Sequence, residues 1–266
     1  MREYVEAQIA SPTRAAYVED MFARIAPRYD LINRLMTGGQ DRRWRAITVA
    51  ETRIGRGGSA LDVATGTGDL AFALRRVVGP QGRVVGVDVT EPMLALAREK
   101  SADLPRAPEF RRADALDLPF PDAIFDAVTI GFGLRNVTDV PRALSEMHRV
   151  LKPGGRMACL EITKPRIPLL AAGFYVYFDH VVPLIGTLVN GSREAYTYLP
   201  SSLRPFPDAP TLRAMMVEAG FTRAHMRLLN AGTIAVHVGR KSGALVAQPV
   251  PPSGVPRDRE AGPATA

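Results

Sequence analysis

The sequence predicts an α/β fold: a mostly parallel sheet of seven strands with an antiparallel last strand, an N-terminal layer of helices, and a helical insert between strands five and six. Three observations predict it. From Ser59 onward, short apolar runs alternate with helical patterns, as in a parallel sheet joined by crossover helices. The first run leads into Asp62-Val-Ala-Thr-Gly-Thr-Gly-Asp69, a glycine-rich loop between a strand and a helix. The last two runs are separated by Ala231-Gly232, a turn suited to an antiparallel hairpin.

Residues 1–54 read as a helical lid, because Tyr17, Met21 and Ile25, then Leu31 and Leu35, recur at helical spacing, with Pro27 breaking the run between them. Strands are expected at 59–64, 83–88, 109–113, 125–131 and 155–161, and helices at 69–78, 91–102 and 139–151, the second with Thr90 at its N-cap. Residues 165–200 break this rhythm. They are apolar, aromatic and interrupted by prolines, which predicts an inserted helical cap. A helix at 210–219 ends at Gly220, and strands at 221–229 and 233–239 close the sheet. Residues 1–241 are expected to form a single domain, and 242–266, with Pro249, Pro251, Pro252, Pro256 and Pro263, a disordered tail.

Composition narrows the function classes. A chain of 266 residues with 46% hydrophobic and 23% charged residues has the make-up of a globular protein with an ordinary core. The single Cys159 excludes a disulfide within the chain, and four scattered histidines offer no structural zinc site, so no metal is expected and a reducing cytoplasm fits. The start, Met1-Arg-Glu-Tyr-Val, lacks the apolar stretch of a signal peptide. The longest apolar region, Ile167 to Val189, is broken by Asp179, His180 and Pro183, short of the ~18 to 20 apolar residues that cross a bilayer. The net charge of +7 is spread along the chain apart from Arg42, Arg43 and Arg45, with no aromatic platform for bases, so no nucleic-acid partner is expected. Weak attraction to anionic lipid remains open.

The glycine loop carries the first chemistry. Asp62, Gly66, Thr67 and Gly68 end a strand and open a helix where backbone can approach a ligand closely. The pattern Gly66-Thr-Gly68-Asp-Leu-Ala71 also fits a dinucleotide site, with Asp88 lying 22 residues beyond Gly66 as a ribose-binding acid, so an NAD-dependent oxidoreductase must be weighed. Asp69 argues against it, because an anion at the helix N-terminus repels a pyrophosphate and attracts a cationic ammonium. Asp114, closing the third strand, places a carboxylate for an adenine amino group. Both features favour S-adenosylmethionine.

Outside that loop, Phe22-Ala-Arg-Ile-Ala-Pro-Arg-Tyr-Asp-Leu-Ile-Asn33, Leu35-Met-Thr-Gly-Gly-Gln-Asp-Arg-Arg-Trp44, Asp117-Leu-Pro-Phe120, Gly131-Phe-Gly-Leu-Arg-Asn136, Tyr196-Thr-Tyr-Leu-Pro-Ser-Ser202 and Ala219-Gly-Phe221 resemble segments of the menaquinone/ubiquinone biosynthesis C-methyltransferase family. The turn Leu151-Lys-Pro-Gly-Gly155 is similarly characteristic of class I methyltransferases. The resemblance implies a Rossmann-like class I methyltransferase fold and S-adenosylmethionine as cofactor. It further implies methylation of a ring carbon of a polyprenylated quinol, demethylmenaquinol to menaquinol or a methoxy-polyprenyl-benzoquinol of ubiquinone synthesis. Family cofactor contacts carry over to Thr67, Asp88, Asp114 and Ala115. Two positions depart from the pattern. Asp41 stands where the family more usually has histidine, which counts against a catalytic role there, and Gly131 where some members have serine. A methyltransferase with a water-soluble acceptor is the competing reading.

Ring methylation requires a hydroxyl to lose its proton and the carbon to be aligned with the methyl donor. The candidate catalytic residues are Arg135, to stabilise the phenolate, Asn136, to hold a hydroxyl or a relaying water, and Tyr29, which with Asp30 and Asn33 closes over the site. His180 beside Asp179 is a candidate base, whereas His148 and His237 read as packing residues. The apolar insert, with Phe174, Tyr175, Tyr177 and Phe178, suits a prenyl channel, a shallow contact at the inner face of a membrane, a homodimer interface or ordinary core, and the sequence does not choose among them.

Overall fold

The computed structural model describes residues 2–11, 13–184, 187 and 193–243, so the tail expected to be disordered lies outside the described residues beyond 243. Seven strands form one sheet in the order β3-β2-β1-β4-β5-β7-β6. They are β1 Ser59–Val63, β2 Arg83–Asp88, β3 Glu109–Arg112, β4 Phe125–Gly131, β5 Leu151–Ile162, β6 Thr222–Leu229 and β7 Ile234–Arg240. Pairings from β3 to β5 are parallel, and β7 runs antiparallel to both β5 and β6. Central strands such as β1 are buried almost throughout, since crossover helices cover both faces of a parallel sheet.

Helices α5 Asp69–Val78, α6 Glu91–Ser101, α7 Val140–Val150 and, later, α10 Ala209–Glu218 connect the strands. Asp139 and Asp208 cap α7 and α10 by accepting the amide hydrogens of Arg142 and Thr211. Thr90 does stand at the N-cap of α6, but its side chain makes no capping bond. The Leu151 to Gly155 segment is drawn into β5 rather than preceding it: Leu151 pairs with Phe125 and Arg156 with Ala127, so residues 152–155 bulge out opposite Asp126. Gly154 at φ +86° permits that excursion.

The N-terminal layer comprises α1 Arg2–Ala10, α2 Arg14–Ile25, a short turn at Ala26–Arg28 where Pro27 interrupts the helical run, α3 Tyr29–Thr37 and α4 Asp41–Thr52. The insert contributes α8 Pro168–Val176, a wide turn at Tyr177–Val181 and α9 Arg193–Leu203. These two apolar segments pack on each other: Val5, Val18, Met21, Ile25 and Ile32 from the layer share one buried cluster with Val182, Tyr196 and Tyr198 from the insert and Met93 of α6. Burying each large side chain is worth roughly 1.5–3 kcal/mol, so neither segment holds its place alone. The Tyr177 hydroxyl donates to the Met36 carbonyl at 2.7 Å and Arg24 meets Glu194 at 3.3 Å, joining layer to insert.

The chain runs outward from β1 to β2 and β3, then returns to β4 on the other side of β1. Loops leaving β1 and β4 therefore diverge at neighbouring carboxyl ends, where Val63 lies opposite Ile130. This is where open α/β sheets bind ligands.

Candidate active site

Three strand ends build the first cavity. After β1 the chain takes left-handed conformations at Ala64, φ +50°, and Gly66, φ +55°. The Gly66 amide donates to Asp88 Oδ2 at 2.8 Å, and the Thr90 amide donates to Asp88 Oδ1 at 2.9 Å. Asp88 thus ties the glycine loop to the start of α6, and burial pushes its carboxyl above the ordinary range. A Cβ at Gly66 would meet no protein atom within 4 Å, because the residue faces an open cavity of about 130 Å³. Gly66, Asp88, Asp114, Ala115 and Leu116 line it, with Asn136 and Phe132 from the loop after β4.

Among the described residues no lysine or arginine lines this cavity, whereas two carboxylates do. Such a wall accepts hydroxyl and amino donors and repels phosphate. Asp69, expected to repel the pyrophosphate, is instead paired with Arg45 at 3.5 Å and Lys100 at 3.7 Å, and it lies outside the cavity.

Other loop residues face elsewhere. The Thr67 hydroxyl donates to Asp30 Oδ1 at 2.6 Å, and Lys100 bridges Asp30 to the Thr67 carbonyl, so the lid grips the loop from behind. Gly68, at φ +89°, caps α5 and packs where a Cβ would strike Phe110 and Phe72 at 2.9 Å. Asp62 is buried beneath the loop, accepting from the Thr65 and Thr129 hydroxyls at 2.6 and 2.7 Å. None of these three lines either of the two cavities at the strand ends.

Burial raises Asp62 to about 6. A raised folded-state value means the native protein holds this proton more tightly than the unfolded chain. The corresponding stability is fully present below pH ~4 and is lost as the pH rises through about 6, on the order of 3 kcal/mol. Chemical denaturation across that window is expected to show the slope, and Asp62→Asn to reduce it, with the part due to Asp88 remaining; an unchanged slope in the variant would refute the assignment.

The second cavity, of about 450 Å³, lies between the N-terminal layer and the insert. Met21, Ile25, Trp44, Phe174 and Phe178 make most of its wall apolar, with Tyr29, Asn33, Thr37, Asp41, Arg45 and Arg135 as polar members. Phe22, Tyr29 and Phe132 line both cavities, so the two spaces meet across these rings. Burial pushes the Tyr29 phenol up, against the opposing hydrogen bond with Asn33 and the nearby Arg135 and Arg45.

Arg135 is 6% exposed and Glu161 1%. Arg135 Nη1 donates to Glu161 Oε1 at 2.8 Å and to the Phe132 carbonyl, while its buried Nε has no hydrogen-bond partner among the described residues. The Arg135 carbonyl accepts from Arg14 Nη2 at 2.7 Å, binding α2 to this loop. Asn136 has both ends of its amide engaged, accepting from the Tyr198 hydroxyl at 3.1 Å and donating to the Phe132 carbonyl at 3.3 Å.

His180 does not meet these groups. It is exposed and lines neither cavity, and Asp179, expected to orient it, pairs with Arg204 at 3.1 Å. His148 packs edge-on against Phe221, and His237 engages the Ala209 carbonyl at 2.9 Å. Sequence reasoning passed over Glu161. Its signal was present, an acid in the apolar run Met157-Ala-Cys-Leu-Glu-Ile162, since a carboxylate buried in a strand demands a cation.

Comparison with known proteins adds a family. The model of the ubiE/COQ5 methyltransferase family matches residues 10–241. A demethylmenaquinone methyltransferase of Roseiflexus sp. (strain RS-1) is 48% identical over 230 residues, covering 86% of this chain and 95% of the relative. A ubiquinone/menaquinone biosynthesis C-methyltransferase of Pseudomonas entomophila is 45% identical, covering 86% and 90%. Among solved structures, a [4+2]-cyclase, SpnF, superposes with a TM-score of 0.66 at 21% identity, covering 88% of this chain and 98% of its own. A methyltransferase from Thermotoga maritima, dependent on S-adenosylmethionine, reaches 0.58 at 20% identity, covering 84% and 99%. A cyclase and a methyltransferase on one architecture show that the fold alone does not settle the reaction.

Proposed function

Because the chain belongs to the ubiE/COQ5 methyltransferase family, we propose that it transfers a methyl group from S-adenosylmethionine to a ring carbon of a polyprenylated quinol, converting demethylmenaquinol to menaquinol. The observation that carries this reading is the meeting of two unlike cavities at Tyr29 and Phe132: an acidic one at the strand ends and a large apolar one beneath the insert. A water-soluble acceptor would have no use for the second.

The residues of the smaller cavity fit the methyl donor. Asp88 receives the ribose hydroxyls and Asp114 the adenine amino group, with Ala115 and Leu116 against the base and the Gly66 backbone free of any obstructing Cβ. Thr67 and Gly68 hold the loop in shape behind Gly66 rather than projecting into the cavity. When bound, the cofactor supplies a methyl group on a cationic sulfur. Ala15, Val18 and Phe22 of α2 press on the same cavity, so a ligand of nucleoside size enters by displacing this roof.

The protein's own task is to orient the ring and favour its phenolate. Arg135 lines the apolar cavity and brings its positive charge to the side where the phenolate oxygen would form, and low-dielectric surroundings strengthen such a field. Tyr29, kept protonated by burial, remains a hydrogen-bond donor at the junction of the cavities. Asn136 fixes the loop through Tyr198 and Phe132. Incubating the protein with labelled cofactor and demethylmenaquinol is expected to place the label on the ring carbon; no transfer to the quinol would reject the reading.

The prenyl tail leaves past the insert. Leu169 is 83% exposed, and Ile167, Val176, Val181 and Leu184 are also exposed, while Leu169 and Leu170 rim the apolar cavity. Among the described residues no helix is long and apolar enough to cross a membrane; the exposed apolar rim supports a shallow contact with a membrane surface. Leu169→Asp with Val176→Asp is expected to weaken vesicle co-sedimentation severalfold. The pair should also raise KM for a long-chain quinol without changing it for a short-chain one; equal KM effects would refute the contact.

A further inference from the structure

Five residues of the N-terminal layer stand on the wall of the larger cavity at intervals of four: Tyr29, Asn33, Thr37, Asp41 and Arg45. Four-residue spacing stacks side chains along one helix face, and the turn between α3 and α4 preserves the row. Asp41, which the family resemblance set aside, is the carboxylate of this row and of this cavity, at 2% exposed.

Its bonding is incomplete. One oxygen pairs with Arg45. The other lies 3.2 Å from the Thr37 hydroxyl, which is only 2.7 Å from the Asn33 carbonyl. A hydroxyl has one proton to donate, and the shorter contact takes it, leaving Asp41 Oδ1 short of a donor. An ionised carboxylate buried in an apolar wall calls for that missing donor. Arg45 is not free to supply it, being shared with Asp69 at 3.5 Å and lying 5.9 Å from the centre of the Phe132 ring.

We propose that Asp41 reads the oxidation state of the ring, accepting a hydrogen bond that a quinol hydroxyl can donate and a quinone carbonyl cannot. The inference rests on the quinol reading above and extends it. A ring hydroxyl completes Asp41 Oδ1, whereas a carbonyl oxygen sets one bare acceptor against another, and sites built to bond a hydroxyl reject analogues that lack it. The preference is exerted on binding and asks no proton transfer of Asp41. It keeps the methyl donor from being shielded by the oxidised ring, whose carbon is not nucleophilic.

Trp44 is the only tryptophan in the sequence and lines this cavity, so quenching of its fluorescence reports occupancy. With S-adenosylhomocysteine present and oxygen excluded, the wild type is titrated with a short-chain demethylnaphthoquinone and with its dithionite-reduced quinol. The quinol is expected to bind at least about tenfold tighter. Asp41→Asn, whose amide can donate to a carbonyl, should narrow or reverse that ratio, and Asp41→Glu should restore part of it. A wild type that binds both forms equally overturns the proposal without any variant, as does an Asp41→Asn protein that melts cooperatively and keeps the wild-type ratio. If the wild type methylates the quinol in either case, the proposal alone falls; if it neither binds nor methylates the quinol, the underlying reading falls with it.

Discussion

Arg135→Ala is expected to lower the unfolding free energy by about 3–5 kcal/mol, because it strands Glu161 as a buried carboxylate without its cation. Glu161 would keep only the amide hydrogens of Arg135 and Ile162 as donors, at 3.3 and 3.0 Å. Turnover should fall as well, since the same substitution removes one of the two arginines lining the apolar cavity beside the donor site. A double variant separates the two effects. Replacing Arg135 and Glu161 together by leucine removes both charges, and such exchanges of buried ion pairs are often neutral in stability. The pair should therefore recover much of the lost stability in a urea titration while turnover stays low. Recovery of turnover together with stability would show that the guanidinium contributes nothing beyond holding the fold.

At Asp88 the expected loss is in binding. Asp88→Ala should weaken S-adenosylhomocysteine about 10- to 100-fold by calorimetry, as charge-assisted hydrogen bonds contribute ~1.5–3 kcal/mol. Alanine also strips an acceptor from the Gly66 and Thr90 amides, so the loop itself loosens. Asp88→Asn keeps one of the two acceptors, so either the Gly66 or the Thr90 amide loses its partner. The asparagine variant is therefore expected to bind more weakly than the wild type and more tightly than Asp88→Ala. Unchanged affinity in both variants would remove Asp88 from the cofactor site.

Much of the architecture was legible because its signals are local. The alternation of strand and helix, the break at Pro27 and the hairpin at Ala231-Gly232 each depend on a few neighbouring residues. Many boundaries shifted by a residue, and the one that moved furthest, the start of β5, moved because Leu151 found a partner in Phe125, a contact that no local propensity encodes. At the site, Gly66, Asp88, Asp114 and Asn136 could be placed together from chain order, since strand ends at a reversal in the sheet converge.

What the amino-acid order determined by itself was the parallel sheet, the glycine loop at its switch point and the set of acids able to serve a ligand there. Only the tertiary structure decided which of those acids are already engaged. Asp69 meets Arg45 and Lys100, Asp30 takes the Thr67 hydroxyl, and Glu161 neutralises Arg135, whereas Asp41 on a cavity wall shares the Thr37 hydroxyl with the Asn33 carbonyl. The physical reason is that periodicity and turn chemistry act over a few residues, while the partner of a buried charge is supplied by whichever distant segment packs against it.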